Sequence, residues 1–301
     1  MCGIFGYIGS KRATPILING MRRLEYRGYD STGIAIKDED ISIFKKVGKV
    51  SEMQSILPLN VQGVTGIGHT RWATHGGVTD ANAHPHASAS GDVVIVHNGI
   101  INNSRILRAS LVAKGVELKS ETDSEALAHL IEIELSVDNN PEAAVRRTLQ
   151  KARGTWGLCA LFKNHDLIVV ARNGSPLVIG KGDDETFISS DRPTLSEFTD
   201  RVVDLQDGDI AVITATSITR STLKGDSKKV EISVLEKSWG EADLGEYEHY
   251  MLKEIHEQPD ALRHCISGRL DRVRGNGRLG GLRLSPSALA KVPHVRLIGC
   301  G

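Results

Sequence analysis

Cys2 has the most distinctive chemistry in this 301-residue chain, because of where it stands. Its side chain follows the initiator methionine and is small, so Met1 is expected to be removed. Cys2 would then carry a thiol and a free α-amine on one residue. An unperturbed α-amine titrates at about 7.7–8.0 and can act as a base near neutral pH, directly or through one water. A free thiol titrates at about 8.5 and is a strong nucleophile once deprotonated. Nucleophile and base then sit together without a separate histidine, as in the N-terminal variant of the hydrolase pairing. Position alone also fits a strand residue or a lipidation site, so the neighbouring motifs must decide. Four histidines, His75, His84, His86 and His97, suggest metal binding at first. His84-x-His86 fits two ligands on one side of a strand, but Pro85 divides them and no cysteine or carboxylate signature accompanies them. No metal site and no cofactor are expected. Asn98-Gly99, taken alone, reads as a tight turn.

The rest of the chain must supply elements that position these groups. Hydrophobic residues make up 40% and charged residues 25% of the sequence, and the formal net charge is zero. That composition fits an ordinary globular protein and favours neither nucleic acid nor an anionic membrane surface. No run of about 18 apolar residues is present and the first residues lack a signal-peptide pattern, so a cytoplasmic protein is expected. Cys2, Cys159, Cys265 and Cys300 are too scattered for a disulfide framework or zinc knuckle. Cys159 reads as a packed core thiol.

Periodicity predicts strands over 4–8, 33–36, 41–46, 65–69 and 93–97, and an amphipathic helix over 13–24. Further helices are expected over 104–114 with Gly115 as C′ residue, from Thr122 with Glu125 completing a capping box, and from Asn140-Pro141 to about 153. Short strands then dominate: 156–162, 167–171, 177–180, 186–189, 201–205, 209–213 and 230–234. Helices cluster early and strands late, which argues for an α+β fold rather than a βαβ series. After 237 come a helix over 250–267, an Arg/Gly-rich stretch over 269–283, and an apolar strand over 295–298. A glycine-rich turn directly after a strand normally leads into a helix. The ending therefore reads as the beginning of a second domain. A single apolar strand cannot bury both faces, so residues from about 268 onward are expected to pack poorly. The Arg/Gly stretch lacks aromatic residues and reads as a solvated linker rather than an RNA site.

The blocks around Cys2 resemble one family. Cys2-Gly3-Ile4, Arg22-Arg23-Leu24-Glu25-Tyr26-Arg27-Gly28-Tyr29-Asp30-Ser31, His69-Thr70-Arg71-Trp72-Ala73-Thr74-His75-Gly76, Asn82-Ala83-His84-Pro85-His86, Val96-His97-Asn98-Gly99-Ile100 and Ser120-Glu121-Thr122-Asp123 occur in the order and spacing of the glutamine–fructose-6-phosphate aminotransferase (isomerizing) family, the glucosamine-6-phosphate synthases. The resemblance covers residues 2–237 as a glutamine amidotransferase type-2 domain and 238–301 as a linker and truncated start of a sugar isomerase domain. It implies an N-terminal-nucleophile hydrolase fold, a four-layer αββα sandwich typical of class II glutamine amidotransferases. It also implies a glutaminase half-reaction through a Cys2 thioester, whose ammonia the family uses to convert fructose 6-phosphate to glucosamine 6-phosphate in amino-sugar (hexosamine) biosynthesis.

That resemblance gives the remaining residues roles. A tetrahedral oxyanion needs two donors, and Asn98 and Gly99 fit as its hole. Glutamine is zwitterionic at its α-carbon, so Arg71 suits the carboxylate and Asp123 the ammonium. Alone, Arg71 also fits a surface ion pair and Asp123 a first-turn helix acid. Trp72, Thr74 and His75 resemble a glutamine-covering loop, His84 a pocket histidine, and Arg27 and Gly28 a block beside the nucleophile. Two other readings stay open at the level of sequence: a catalytically silent glutamine-binding or docking remnant, and another N-terminal-cysteine amidotransferase. The Tyr-Arg-Gly-Tyr-Asp-Ser block and the His249-Tyr250-Met251 start of the tail argue against the latter. Expected partners are L-glutamine, the acceptor fructose 6-phosphate, and either further copies or a separate isomerase chain.

Overall fold

The computed structural model describes residues 2–58, 60–73, 76–235, 247–266, 270–271, 276–277, 285–294 and 296. The chain divides into two compact units, Met1–Glu241 and Ala242–Gly301.

The first unit runs β1 (Gly3–Ile8), α1 (Ala13–Leu24), β2 (Ser31–Lys37), β3 (Ile41–Val47), α2 (Val50–Ser55), β4 (Thr65–Arg71), β5 (His86–Ala87), β6 (Val93–Ile101), α3 (Ser104–Val112), α4 (Ser124–Asp138), α5 (Pro141–Lys151), β7 (Gly154–Phe162), β8 (Ile168–Asn173), β9 (Val178–Lys181), β10 (Thr186–Ser189), β11 (Arg201–Asp204), β12 (Asp209–Ile213), β13 (Ile218–Thr222), β14 (Ser227–Lys228) and β15 (Ser233–Val234). Eight strands form one sheet in the order β15-β11-β9-β10-β1-β4-β2-β3, and seven form another in the order β14-β13-β12-β8-β7-β6-β5. All the strand pairings are antiparallel.

Alternation along each strand divides the core into three layers. On β1, Ile4 and Ile8 join Val94, Val96, Cys159 and Leu161 between the sheets, while Phe5 and Tyr7 pack with Leu17 and Met21 of α1. On β6, Val93 and Ile95 face the opposite way and pack with Leu127 and Ile131 of α4 and Val145 of α5. Helix, sheet, sheet, helix is therefore the order of layers, as expected for the four-layer αββα sandwich. Each fully buried Leu, Ile or Phe contributes about 1.5–3 kcal/mol, so the alternation strongly selects the register. Cys159 is buried between the sheets, and burial pushes its thiol pKa up.

Several elements differ from the expectation. The six-residue α2 and the strand β13 form over sequences with few apolar residues. Helix α4 starts at Ser124, not Thr122. Thr122 Oγ1 takes the Glu125 N–H at 3.4 Å, which is half a capping box. The Glu125 carboxylate instead reaches back to the N–H groups of Lys119 and Ser120, at 2.6 and 2.9 Å, and so draws the preceding turn into the helix end. Of the strand expected over 230–234, only Ser233–Val234 pairs.

In the second unit the described elements are a helix, α6 (Tyr250–Ile266), a two-stranded ladder of Leu270–Asp271 with Asn276–Gly277, and a short helix, Pro286–Leu289. Most of the Arg/Gly stretch and the strand expected over 295–298, along with much of the tail expected to pack poorly, lie outside the described residues.

Helix α5 starts as its sequence predicts. Pro141 occupies the first turn, and Asn140 Oδ1 accepts the Ala143 N–H at 3.0 Å. Asn140→Ala is expected to lower the unfolding free energy by about 1 kcal/mol, as measured by urea denaturation.

Candidate active site

Three strand ends meet at one end of the sandwich. Cys2 precedes β1, Arg71 ends β4, and Asn98 and Gly99 lie near the end of β6. Gly3 pairs with Thr70, so Cys2 is brought beside the Arg71–Trp72 peptide. The Trp72 N–H donates to Cys2 Sγ at 3.2 Å, and the thiol lies 3.4 Å from Trp72 O. The Tyr-Arg-Gly-Tyr-Asp-Ser block holds that peptide in place. A Cβ on Gly28 would lie 2.7 Å from Arg71 C and from Trp72 N, so only glycine allows the two backbones to approach this closely. Asp30 donates its N–H to Arg71 O at 3.0 Å, and its Oδ2 accepts the Ala73 N–H at 2.9 Å. Burial raises the Cys2 thiol above its usual pKa, while the Trp72 N–H and the positive charges of the amino terminus and Arg71 act against that rise.

The second sheet contributes Asn98. Its Nδ2 donates to Cys2 O at 3.0 Å, and its Oδ1 meets His69 Nε2 at 2.9 Å. Gly99 follows with φ +131°, and a Cβ there would strike Thr155 O at 2.2 Å. Only glycine therefore fits beside Asn98. The Asn-Gly pair lies within the β6–β7 ladder, opposite Gly157 and Trp156, and not in a hairpin turn.

The turn before α4 closes the third side. Asp123 Oδ2 accepts the Ile101 N–H at 2.7 Å, and its Oδ1 accepts from Ser124 Oγ at 3.3 Å. Arg108 donates to the carbonyls of Thr122 and Ser120, at 2.6 and 2.7 Å. Ser124 Oγ also meets His97 Nδ1 at 2.8 Å, and Thr122 Oγ1 meets His86 Nε2 at 3.0 Å. Behind the cleft the rings of His69 and His84 stack at 4.2 Å, and His86 lies edge-on to His84 at 4.5 Å. The imidazoles of His69, His84, His86 and His97 have pKa values pushed down by burial, His69 to about 3, so these rings are neutral at physiological pH. The segment carrying His84 is anchored from below. Lys45 Nζ donates to the carbonyls of Ala81, Ala83 and Pro85 at 3.2, 2.8 and 3.2 Å. Burial lowers the Lys45 pKa to about 8.

Cys2, Arg71, Trp72, His84, Asn98, Gly99 and Asp123 thus line a single cleft, joined by His97, Thr122 and Ser124. Arg71 is buried and donates from Nη1 to Gly77 O at 3.2 Å. Trp72 is 45% exposed, with its ring edge-on to Tyr29 at 5.8 Å. Gly28 supports the wall from behind. Arg27 stands outside the lining, where its guanidinium pairs with Asp191 Oδ1 at 2.5 Å and with Tyr26 Oη at 3.1 Å. Thr74 and His75 lie outside the described residues. His69, Asp30 and Lys45 had no site role in the sequence reading. His69 and Asp30 belong to the blocks that carry the resemblance, but their work is to hold other residues, which no motif spells out.

Comparison with known proteins bears on the fold and the domain. The pattern of a glutamine amidotransferase domain matches residues 69–197. The Bacillus subtilis glutamine phosphoribosylpyrophosphate amidotransferase, solved with ADP and GMP, superposes with a TM-score of 0.65 at 24% identity, covering 76% of this chain and 50% of that one. At that identity the likeness is one of fold. Curated relatives named glutamine–fructose-6-phosphate aminotransferase (isomerizing) align over the whole chain. The Chlorobaculum tepidum protein is 44% identical over 310 residues, and a Thermus thermophilus protein is 44% identical over 305. The chain spans 50% and 49% of their lengths, about half in each case. Fold and site define a class II glutamine amidotransferase with an N-terminal-nucleophile hydrolase fold. Within that class, the relatives it matches along its whole length are glutamine–fructose-6-phosphate aminotransferases (isomerizing).

The turn that carries Asp123 has a pH dependence of its own. Burial opposes the Glu125 charge, but the His129 ring and the N–H groups of Lys119 and Ser120 outweigh it, and the pKa falls to about 2. A carboxylate whose pKa is lower folded than unfolded stabilises the fold above about pH 4.3 and loses that contribution as pH falls toward 2. The urea midpoint is expected to drop between pH 5 and 2, and Glu125→Gln to flatten that slope.

Proposed function

We propose that this chain hydrolyses L-glutamine to glutamate and ammonia, with Cys2 as the nucleophile. The observation that carries this reading is the placement of Cys2, its Sγ on the Trp72 N–H and its carbonyl on the Asn98 carboxamide, in a cleft also lined by Arg71 and Asp123. With Met1 removed, the Cys2 nitrogen becomes an amine two bonds from the carbon bearing sulfur. Burial favours the neutral thiol, so the attack needs a base, and that amine supplies it. Sulfur bonds to the δ-carbon of glutamine and its proton passes to the amine. The oxyanion is held by Asn98 Nδ2 and the Gly99 N–H. A carboxamide NH₂ has two donors, so one stays on Cys2 O while the other faces the oxyanion. The amine then protonates the leaving nitrogen, ammonia departs, and water hydrolyses the thioester by the same route in reverse. Arg71 takes the α-carboxylate of the substrate, Asp123 its ammonium, and His84 lines the pocket. Trp72, Thr74 and His75 cover the bound substrate, and Arg27 and Gly28 support the nucleophile.

Residues 2–237 are proposed as the glutaminase domain and 238–301 as the linker and start of the isomerase domain. The acceptor is fructose 6-phosphate, the substrate in the relatives' name. Its amination to glucosamine 6-phosphate needs the half of the relatives' length that this sequence does not span. Further copies or a separate isomerase chain are the expected protein partners, in the cytoplasm. No helix among the described residues is long and apolar enough to cross a membrane.

The deciding experiment is ammonia release from glutamine, with intact mass read on the same sample. Loss of Met1 and steady ammonia release are expected, and Cys2→Ala is expected to abolish that release. A Met1-free protein that binds glutamine but releases no ammonia would instead be the silent remnant. Arg71→Lys is expected to raise KM for glutamine, because an ammonium cannot reproduce the bidentate guanidinium contact. An unchanged KM would remove Arg71 from the carboxylate.

A further inference from the structure

We infer that His69 is a positioning residue which, through its ring tautomer, sets the direction of the Asn98 carboxamide and so aims the oxyanion donor. The inference rests on the glutaminase reading above.

The Asn98 side chain spans the two sheets. Its Nδ2 lies 3.0 Å from Cys2 O and its Oδ1 lies 2.9 Å from His69 Nε2. A carboxamide can be turned end for end at little steric cost, so its neighbours decide which atom faces which. Turned over, its oxygen would face the Cys2 carbonyl oxygen, two acceptors at hydrogen-bond distance with no proton between them. The carboxamide would then offer no donor on the Cys2 side, leaving the Gly99 N–H alone to meet an oxyanion. Cys2 O by itself favours the productive sense, and His69 adds a second constraint from the opposite end of the amide. His69 is the fixed anchor. It lies in the middle of β4's pairings, opposite Ile4 on β1 and Gly33 on β2.

The ring can serve as that anchor only if Nε2 carries the proton. Burial keeps the imidazole uncharged, which leaves two tautomers. Nδ1 is buried and has no hydrogen-bond partner. With the proton on Nε2, the atom left without a partner is a bare lone pair. With the proton on Nδ1, a buried N–H would be orphaned and Nε2 would face the Asn98 oxygen, lone pair against lone pair. Orphaned buried N–H groups are the rarer and costlier defect. Packing, not a motif, therefore selects the Nε2–H form, and that form selects the amide sense.

The expected effects are specific. His69→Leu should lower kcat for glutamine hydrolysis about 10- to 100-fold, the cost of losing donor alignment. KM should stay within about threefold, because Arg71 and Asp123, not Asn98, bind the substrate's α-groups. His69→Gln restores an N–H donor toward Oδ1 and should recover most of the loss. Asn98→Ala alone should cost about 10²–10³ in kcat. Adding His69→Leu to it should cost less than about twofold more, since His69 acts only through Asn98. An unchanged kcat in His69→Leu, a change confined to KM, no recovery in His69→Gln, or additive losses in the double variant would each overturn the inference. Should His69→Leu not fold, long-range ¹H–¹⁵N spectra of the wild-type ring decide. The Nε2–H tautomer is expected between pH 5 and 8, and an Nδ1–H ring overturns it. That measurement needs no turnover. A wild-type protein that releases no ammonia would sink the glutaminase reading and leave the tautomer test standing.

Discussion

A single side-chain amide joins the two sheets at the reacting end of the sandwich. Asn98 donates to the Cys2 carbonyl on one sheet from a strand that belongs to the other. The strands on either side are held by apolar packing between the sheets, which fixes their separation but has no directional preference of its own. The Asn98 contact turns that separation into an orientation. The Cys2 backbone, the Asn98 carboxamide and the neutral His69 ring form one hydrogen-bonded line across the sheet interface. If the sheets shifted relative to one another, sulfur and donor would separate together.

Around that line the protein supplies a rigid and mostly uncharged back wall. Four buried imidazoles are kept neutral by their surroundings, so they pack without adding positive charge behind the thiol. Positive charge comes instead from Arg71 at the wall of the cleft, which also opposes the rise in the thiol's pKa. Specificity and reactivity are thereby separated. In the proposed reaction Arg71 and Asp123 take the substrate's fixed charges, while Cys2, Asn98 and Gly99 meet the atoms that change. The supporting residues differ again in kind. Asp30 clamps a strand end through backbone hydrogen bonds, Lys45 gathers three carbonyls below His84, and Arg108 ties down the turn before α4.

Most strands were legible because they are buried on both faces and so read as short continuous apolar runs. Val93–Val96 and Ile168–Val170 carry enough β-branched, apolar surface to announce themselves. Strand β13 did not, since Ile218 is its one large apolar residue. It forms because β12 offers an open edge and because Arg220 pairs with the fully buried Asp209. Helix α2 is similarly silent, with only Val50 and Met53 buried. The capping signal at Thr122 was real but half used, because the Glu125 carboxylate met nearer donors in the turn behind it.

By itself the sequence pointed to Cys2, to the family it resembles and to most of the residues that line the cleft. A penultimate cysteine and ordered polar blocks are local facts, written in residue type and spacing. Tertiary structure alone decided how those residues divide the work. It set Arg27 on Asp191 and outside the cleft lining, placed Asn98-Gly99 inside a ladder instead of a turn, and gave His69 an Asn98 partner 29 residues away. Those relations depend on which strands become neighbours and on which polar atoms lose water when they do. Both follow from the packing of two whole sheets, so neither can be read from any one segment.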